Sequence, residues 1–215
     1  MGQYYRPIIL REKNGRFRSQ GFYAHMYHNG LKLTEHSYCG NGFTETVVGE
    51  LYDKPGRLAW IGDYAKKGDL LKLNAEAAVF EQAFFRHYKK FHCDIDWTKD
   101  MDDDSRFFDY NYDFPEEIRV RRGRFILNHD KKVYIDLEEY EENNPPCQEG
   151  EDWHFHPLPL LTAIGNGRGS GDFAGIGEGD VGSWAGDLIE TKDARLDGYK
   201  DVTPRIRFQE RYFRY

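Results

Sequence analysis

YYRPIILREKNGRFRSQGFYAHMY, residues 4–27, reads as two strands folded back at Asn14-Gly15. A two-residue hairpin turn needs positive φ at both central positions, and Asn-Gly supplies it at least cost. The chain therefore starts with an antiparallel pair. A second Asn-Gly, Asn29-Gly30, leads into LKLTEHSY. Asn41–Asp53 then has helical character, with Phe43, Val47, Val48 and Leu51 on one face, and Pro55-Gly56 ends it. RLAWIGDYA follows as a buried strand running out at Asp63. Strand, strand, helix, strand predicts an α+β fold. Its sheet is mixed and mainly antiparallel, with few helices and a long Gly-rich loop, in one domain over residues 1–215.

Beyond that core, Ala75–His92 carries Val79, Phe80, Ala83, Phe84 and Tyr88 near helical spacing, with Asn74 as its cap. Asp94–Glu117 holds ten acids against two basic residues, interleaved with aromatics, and reads as a variable acidic insertion. RVRRGRFILNHDKKVYIDLEEY gives a hairpin turning at Asn128–Lys131. Glu138–Asp152 is acidic and contains Asn-Asn-Pro-Pro, the composition of a linker or surface loop. From Pro204 the tail alternates Arg205, Arg207 and Arg211 with Ile206, Phe208 and Tyr212, as a strand with one basic face would.

Between them lies PLPLLTAIGNGRGSGDFAGIGEGDVGSWAGDLI, residues 157–189, an apolar strand that opens into the densest glycine run. Nine of the 22 residues from Gly165 to Gly186 are glycine. Gly169-Ser-Gly171-Asp-Phe-Ala174 satisfies a loose dinucleotide-binding pattern, but no helix start or βαβ context accompanies it. No Gly-Lys-Ser/Thr occurs, which excludes a P-loop, and a single Gly-Glu-Gly-Asp does not make a calcium-binding repeat. The remaining reading is a nest in which backbone N–H groups and Arg168 hold an anion, with Asn166, Ser170 and Asp172 available for a sugar or base. A plain surface loop is the alternative.

Trp60-Ile-Gly-Asp63 is echoed by Trp184-Ala-Gly-Asp187. The pair could ring one cleft, with Tyr64 or Trp184 stacking on a flat ligand and Asp63 at its edge, although a Trp beside Gly more often packs a core. Eight histidines include His154-Phe-His156, but none has a recognised metal spacing, so no metal or other cofactor is expected. Taken as a strand, residues 36–38 put His36 and Tyr38 on one face and Ser37 on the other, which argues against a Ser-His pair. His36 is retained as a ligand-side candidate, and enzymatic activity through Asp63, Asp172 or His36 ranks last.

A net charge of −7 argues against general nucleic-acid or anionic-membrane binding, while leaving room for a local basic strip that holds phosphate. Three scattered cysteines, no apolar span and no signal-like start point to a reducing cytoplasm. The acidic insertion suggests a second kind of partner, a host protein whose nucleic-acid groove the spaced carboxylates would occupy.

In order, the chain shows MGQYY, GLKL, EHSY, WIGDY, NHDKK, PLPLLTA, GNGRGSGD and VGSWA. This series resembles an uncharacterised family of bacteriophage and bacterial mobile-element proteins. The resemblance covers most of the chain, least so residues 65–118, and implies a small accessory protein acting in the cytoplasm of a bacterial host, by interference with host defence or metabolism. Combined with the glycine nest, the expectation is a nucleotide-like anionic ligand, such as a defence signal to be sequestered.

Overall fold

A computed structural model describes residues 3–66, 69, 73, 79–80, 82–83, 121–144, 153–167, 173, 176 and 180–208. Among these residues eight strands form one sheet: β1 Tyr5–Lys13, β2 Arg16–Gly21, β3 Gly56–Gly62, β4 Phe125–Asn128, β5 Val133–Asp136, β6 Ala163–Ile164, β7 Leu188–Lys192 and β8 Lys200–Asp201. Their order is β2-β1-β3-β7-β4-β5-β8, with β6 also paired to β3. Among the described strand pairs only β3–β6 and β5–β8 are parallel, so the fold is α+β with a mixed, mainly antiparallel sheet. Four short α-helices lie wholly within the described residues: α1 Leu33–His36, α2 Gly42–Glu50, α3 Leu137–Asn143 and α4 Pro157–Leu161.

The opening hairpin forms as its sequence requires. Asn14 and Gly15 take φ of 55° and 70°, and Lys13 pairs directly with Arg16. Pro7 fits inside β1 because β2 pairs only from Ile8↔Gly21 onward, so the side on which Pro7 lacks an N–H needs no ladder donor. Tyr5–Leu10 is buried without alternation, because both sheet faces are covered. On one face Ile9, Leu58 and Trp60 join Phe43, Val47 and Val48 of α2, Leu51 at its C-terminal end, and Leu158, Leu160 and Leu161 of α4 in the main core. On the other, Ile8, Leu10, Ala59, Ile61 and Ile164 meet Leu73, Phe80 and Ala83. Val79, Phe80, Gln82 and Ala83 are helical; the rest of the helix expected over residues 75–92 lies outside the described residues, as does the insertion 94–117.

One edge of β3 is shared. Gly56 and Arg57 pair with β7, Leu58 exchanges backbone hydrogen bonds with Gly186 and Asp187, and Trp60 and Ile61 pair with β6. The segment around Trp184 thus fills the gap between β7 and β6.

Several elements differ from expectation. Residues 33–36 form helix α1 rather than a strand: the Glu35 side chain accepts from the Lys32 N–H at 3.0 Å, which closes the first turn. Pro157–Leu161 is a helix, not a strand, because Pro157 sits at the first helical position and His156 Nδ1 accepts from the Leu158 N–H at 3.2 Å. The start of the supposed linker is α3: Asp136 caps Glu138 and Glu139, and Leu137 and Tyr140 are buried in the main core. As far as Phe208 the tail keeps its alternation, with Ile206 and Phe208 buried and Arg205 and Arg207 exposed, but among these described residues only Thr203–Arg205 is regular, as a 3-10 turn; Arg211 and Tyr212 lie outside the described residues. No helix among the described residues is long and apolar enough to cross a membrane.

Candidate functional site

Three segments far apart in sequence meet at the C-terminal end of β3. Tyr5 pairs with Gly62, and parallel pairing of β6 carries the chain from Ile164 into Gly165, Asn166 and Gly167 beside it. Gln3, with no exposed surface, lies beneath this junction. Its Nε2 donates to Asn166 Oδ1 at 2.5 Å, and its Oε1 accepts from the Asn166 N–H at 3.4 Å. The glycines here are dictated by close approach. A Cβ on Gly62 would stand 2.4 Å from Gln3 Oε1, and one on Gly165 would stand 2.5 Å from both Gln3 Oε1 and the Tyr5 hydroxyl. Gly167 has φ of +66°, and its Cβ would meet the Phe173 ring at 2.5 Å. Phe173 in turn packs edge-on against Tyr5.

The rim of this corner is polar and aromatic. Asp63 and Tyr4 exchange two bonds: the Tyr4 N–H donates to Asp63 Oδ1 at 3.0 Å, and the Asp63 N–H donates to the Tyr4 carbonyl at 3.0 Å. Tyr4 and Tyr64 are among the most exposed large aromatics, at 48 % and 43 %. Asn166, Asp63 and Tyr64 of the expected set are therefore gathered at one end of the sheet. Arg168, Ser170 and Asp172 lie outside the described residues.

His36 and Trp184 are placed elsewhere. His36 is wholly buried in the main core beside Trp60. An indole N–H can only donate, so the 3.0 Å contact from Trp60 Nε1 makes His36 Nε2 the acceptor. Its proton is then on Nδ1, which donates to the Gly30 carbonyl at 2.9 Å. Both ring nitrogens are used within the protein, and burial pushes the imidazole down to about 4 against smaller opposing effects of the Gly30 carbonyl and Glu35. Trp184 is 4 % exposed and packs in the same core. The two Trp-x-Gly-Asp echoes do not ring one cleft. Asp63 follows the end of β3, whereas Asp187 adjoins its start through the Leu58 N–H, five residue steps or about 17 Å along the strand.

Asp187 organises a second polar cluster, which sequence reasoning left open. Its carboxylate is buried, and Oδ2 accepts from Asn128 Nδ2 at 2.7 Å and from Lys131 Nζ at 2.6 Å. Arg57 pairs with Asp130 at 2.6 Å. His129 stands between the Tyr199 hydroxyl at 2.7 Å and Glu190 Oε2 at 3.1 Å. These contacts pin the β4–β5 turn to β7. The available signal was Glu190 inside a strand whose neighbours Ile189 and Thr191 are also buried; an acid there needs a partner on an adjoining strand. No group of three or more His, Cys, Asp or Glu side chains among the described residues is arranged to hold a metal ion.

No family model, curated protein or solved structure matches the chain.

Proposed function

We propose that the protein binds a nucleotide-like anionic ligand at the corner formed by Gln3–Tyr5, Gly62–Tyr64 and the glycine run that begins at Gly165. The observation that supports this most is the bracing of Asn166 by the buried Gln3 amide, at a junction where Gly62 and Gly165 leave no room for a side chain. A preorganised polar group on a glycine-rich turn, flanked by an exposed tyrosine, suits a ligand with a flat ring and a charged end. Asn166 would hydrogen-bond the sugar or base, Tyr64 would stack, and Arg168, two residues along the chain, would hold phosphate, with Ser170 and Asp172 contributing polar contacts. The resemblance to phage and mobile-element proteins supplies a setting, an accessory protein that sequesters a host nucleotide signal.

Isothermal calorimetry against a panel of mono-, di- and cyclic nucleotides tests the reading. Binding of at least one nucleotide is expected, weakened tenfold or more by Asn166→Ala, by Tyr64→Ala and by Arg168→Ala. No heat with any nucleotide, or undiminished binding by Arg168→Ala, overturns it. Chromatography of the same samples after incubation separates sequestration from hydrolysis.

A further inference from the structure

The far end of β1 carries a charge pattern that folding alone disfavours. Arg11 lies directly opposite Arg18, and Lys13 directly opposite Arg16. Directly paired residues of an antiparallel ladder share a face, with about 5 Å between their Cβ atoms, so these four cations form a two-by-two array repeating about every 7 Å along each strand. Like charges so placed are destabilising. Only Arg11 is offset within the chain: its guanidinium donates to Gln20 Oε1 at 3.2 Å and to the Glu50 carbonyl at 2.6 Å. No acid pairs with Lys13, Arg16 or Arg18 among the described residues.

Arg11 is anchored to the end of α2, and beyond it the array stands clear of the body. Tyr5–Leu10 is buried, whereas every residue from Glu12 to Arg18 is exposed, so the hairpin projects as a two-stranded ribbon. An open depression of about 420 Å³ runs along it, lined by Arg11, Glu12, Lys13, Arg18, Ser19 and Gln20. Four cations, with Glu12 in the ribbon and Glu50 beside Arg11, concentrate positive charge at one tip of a chain whose net charge is −7.

We propose that this ribbon docks into the major groove of duplex nucleic acid, its four-cation face meeting the phosphates that flank the groove. The groove is about 12 Å wide and admits a two-stranded β-ribbon. The spacing of the cations suits a repeating polyanion better than a single phosphate. This surface lies eight residue steps, about 27 Å along β1, from the glycine corner and is independent of it.

Fluorescence anisotropy of the full chain with a labelled duplex DNA tests the assignment. Neutralising three to four phosphates gives an affinity that falls about 40- to 150-fold between 50 and 200 mM salt. The double variant R16E/R18E should lose at least tenfold in affinity and flatten the salt dependence by about two phosphates. Because both substitutions replace like-charge pairs with opposite ones, its thermal midpoint should hold or rise, which keeps the test free of unfolding. Nucleotide calorimetry should be unchanged in this variant, so failure here and failure of the corner reading are distinguishable. Absence of duplex binding at 50 mM salt, equal binding by the variant, or equal or tighter binding of a single-stranded oligonucleotide or of polyglutamate overturns the proposal.

Discussion

Acidification from pH 7.5 to 5 should destabilise this protein by an amount set mainly by two buried histidines. His36 and His156 both have no exposed surface, and burial holds each imidazole down to about 4. Their neutral forms are fixed by different contacts. His36 accepts from Trp60 and donates to Gly30, whereas His156 Nδ1 caps α4 and its Nε2 has no hydrogen-bond partner among the described residues. In the unfolded chain both take up a proton near pH 6.5, so below that pH the unfolded state binds more protons and stability falls with falling pH. The stabilisation is complete above the unfolded value and is lost progressively as pH drops toward 4. For each imidazole the linkage relation gives a loss of about 2 kcal/mol at pH 5, hence about 4 kcal/mol for the pair. Half-buried His25, lowered by burial and by Arg6, adds in the same direction. Urea denaturation at half-unit intervals between pH 7.5 and 5 measures the effect; with a slope near 2.5 kcal/mol/M, the midpoint should fall by about 1.5 M. The imidazole resonances of His36 and His156 in the folded protein should not titrate above pH 5. A loss under 1 kcal/mol across this range, or either ring protonating near 6.5 while the chain remains folded, would refute the argument.

Two further outcomes follow from close contacts. Gly62→Ala forces a Cβ to within 2.4 Å of Gln3 Oε1, so Gln3 must yield its two bonds to Asn166; overpacking of this kind costs about 1–3 kcal/mol, seen as a lower urea midpoint. Adding Gln3→Ala should remove most of the Gly62→Ala penalty, leaving the 3.1 Å approach to the Tyr5 ring, and an undiminished penalty in the double variant would locate the clash elsewhere. Asp187→Ala leaves the Asn128 amide buried without an acceptor and should cost about 2–3 kcal/mol; Asp187→Asn, which still accepts from Asn128 and loses mainly the half-exposed Lys131, should cost about 1 kcal/mol on the same denaturation scale.

The parts of the fold legible in the sequence are those where one local signal had no competitor. Asn14-Gly15 specified its turn, and the apolar spacing of Phe43, Val47, Val48 and Leu51 specified α2. Where two signals competed, the terminal residues decided. PLPLL is apolar enough for a strand, but Pro157 after a capping His156 starts a helix instead. The acids after Asp136 look like a solvated linker, yet the Asp136 cap, acids in the first helical turn and buried Tyr140 together favour α3. His36 was open to misreading for another reason: nothing local shows that Trp60, 24 residues away, would satisfy its second nitrogen.

The candidate site divides in the same way. Glycine density marks where a backbone comes close to something, but not what approaches it. Gln3 carries no motif signal, yet it touches two of the three converging segments and explains why both Gly62 and Gly165 are glycine. With Gln3 as the brace, Gly165 and Gly167 serve an imposed fit rather than general looseness: they let the chain lie against Tyr5 and Phe173, and the exposed Asn166 between them has its amide oxygen held by Gln3. That combination, a rigid base under an exposed polar residue, is what preorganised recognition requires and what a merely turning loop does not need. The echo of Trp-x-Gly-Asp has the opposite lesson. Its two copies occupy opposite ends of β3 because the same short pattern ends one strand at Asp63 and precedes another at Asp187, so similarity of sequence there reflects similar strand boundaries rather than a shared cleft.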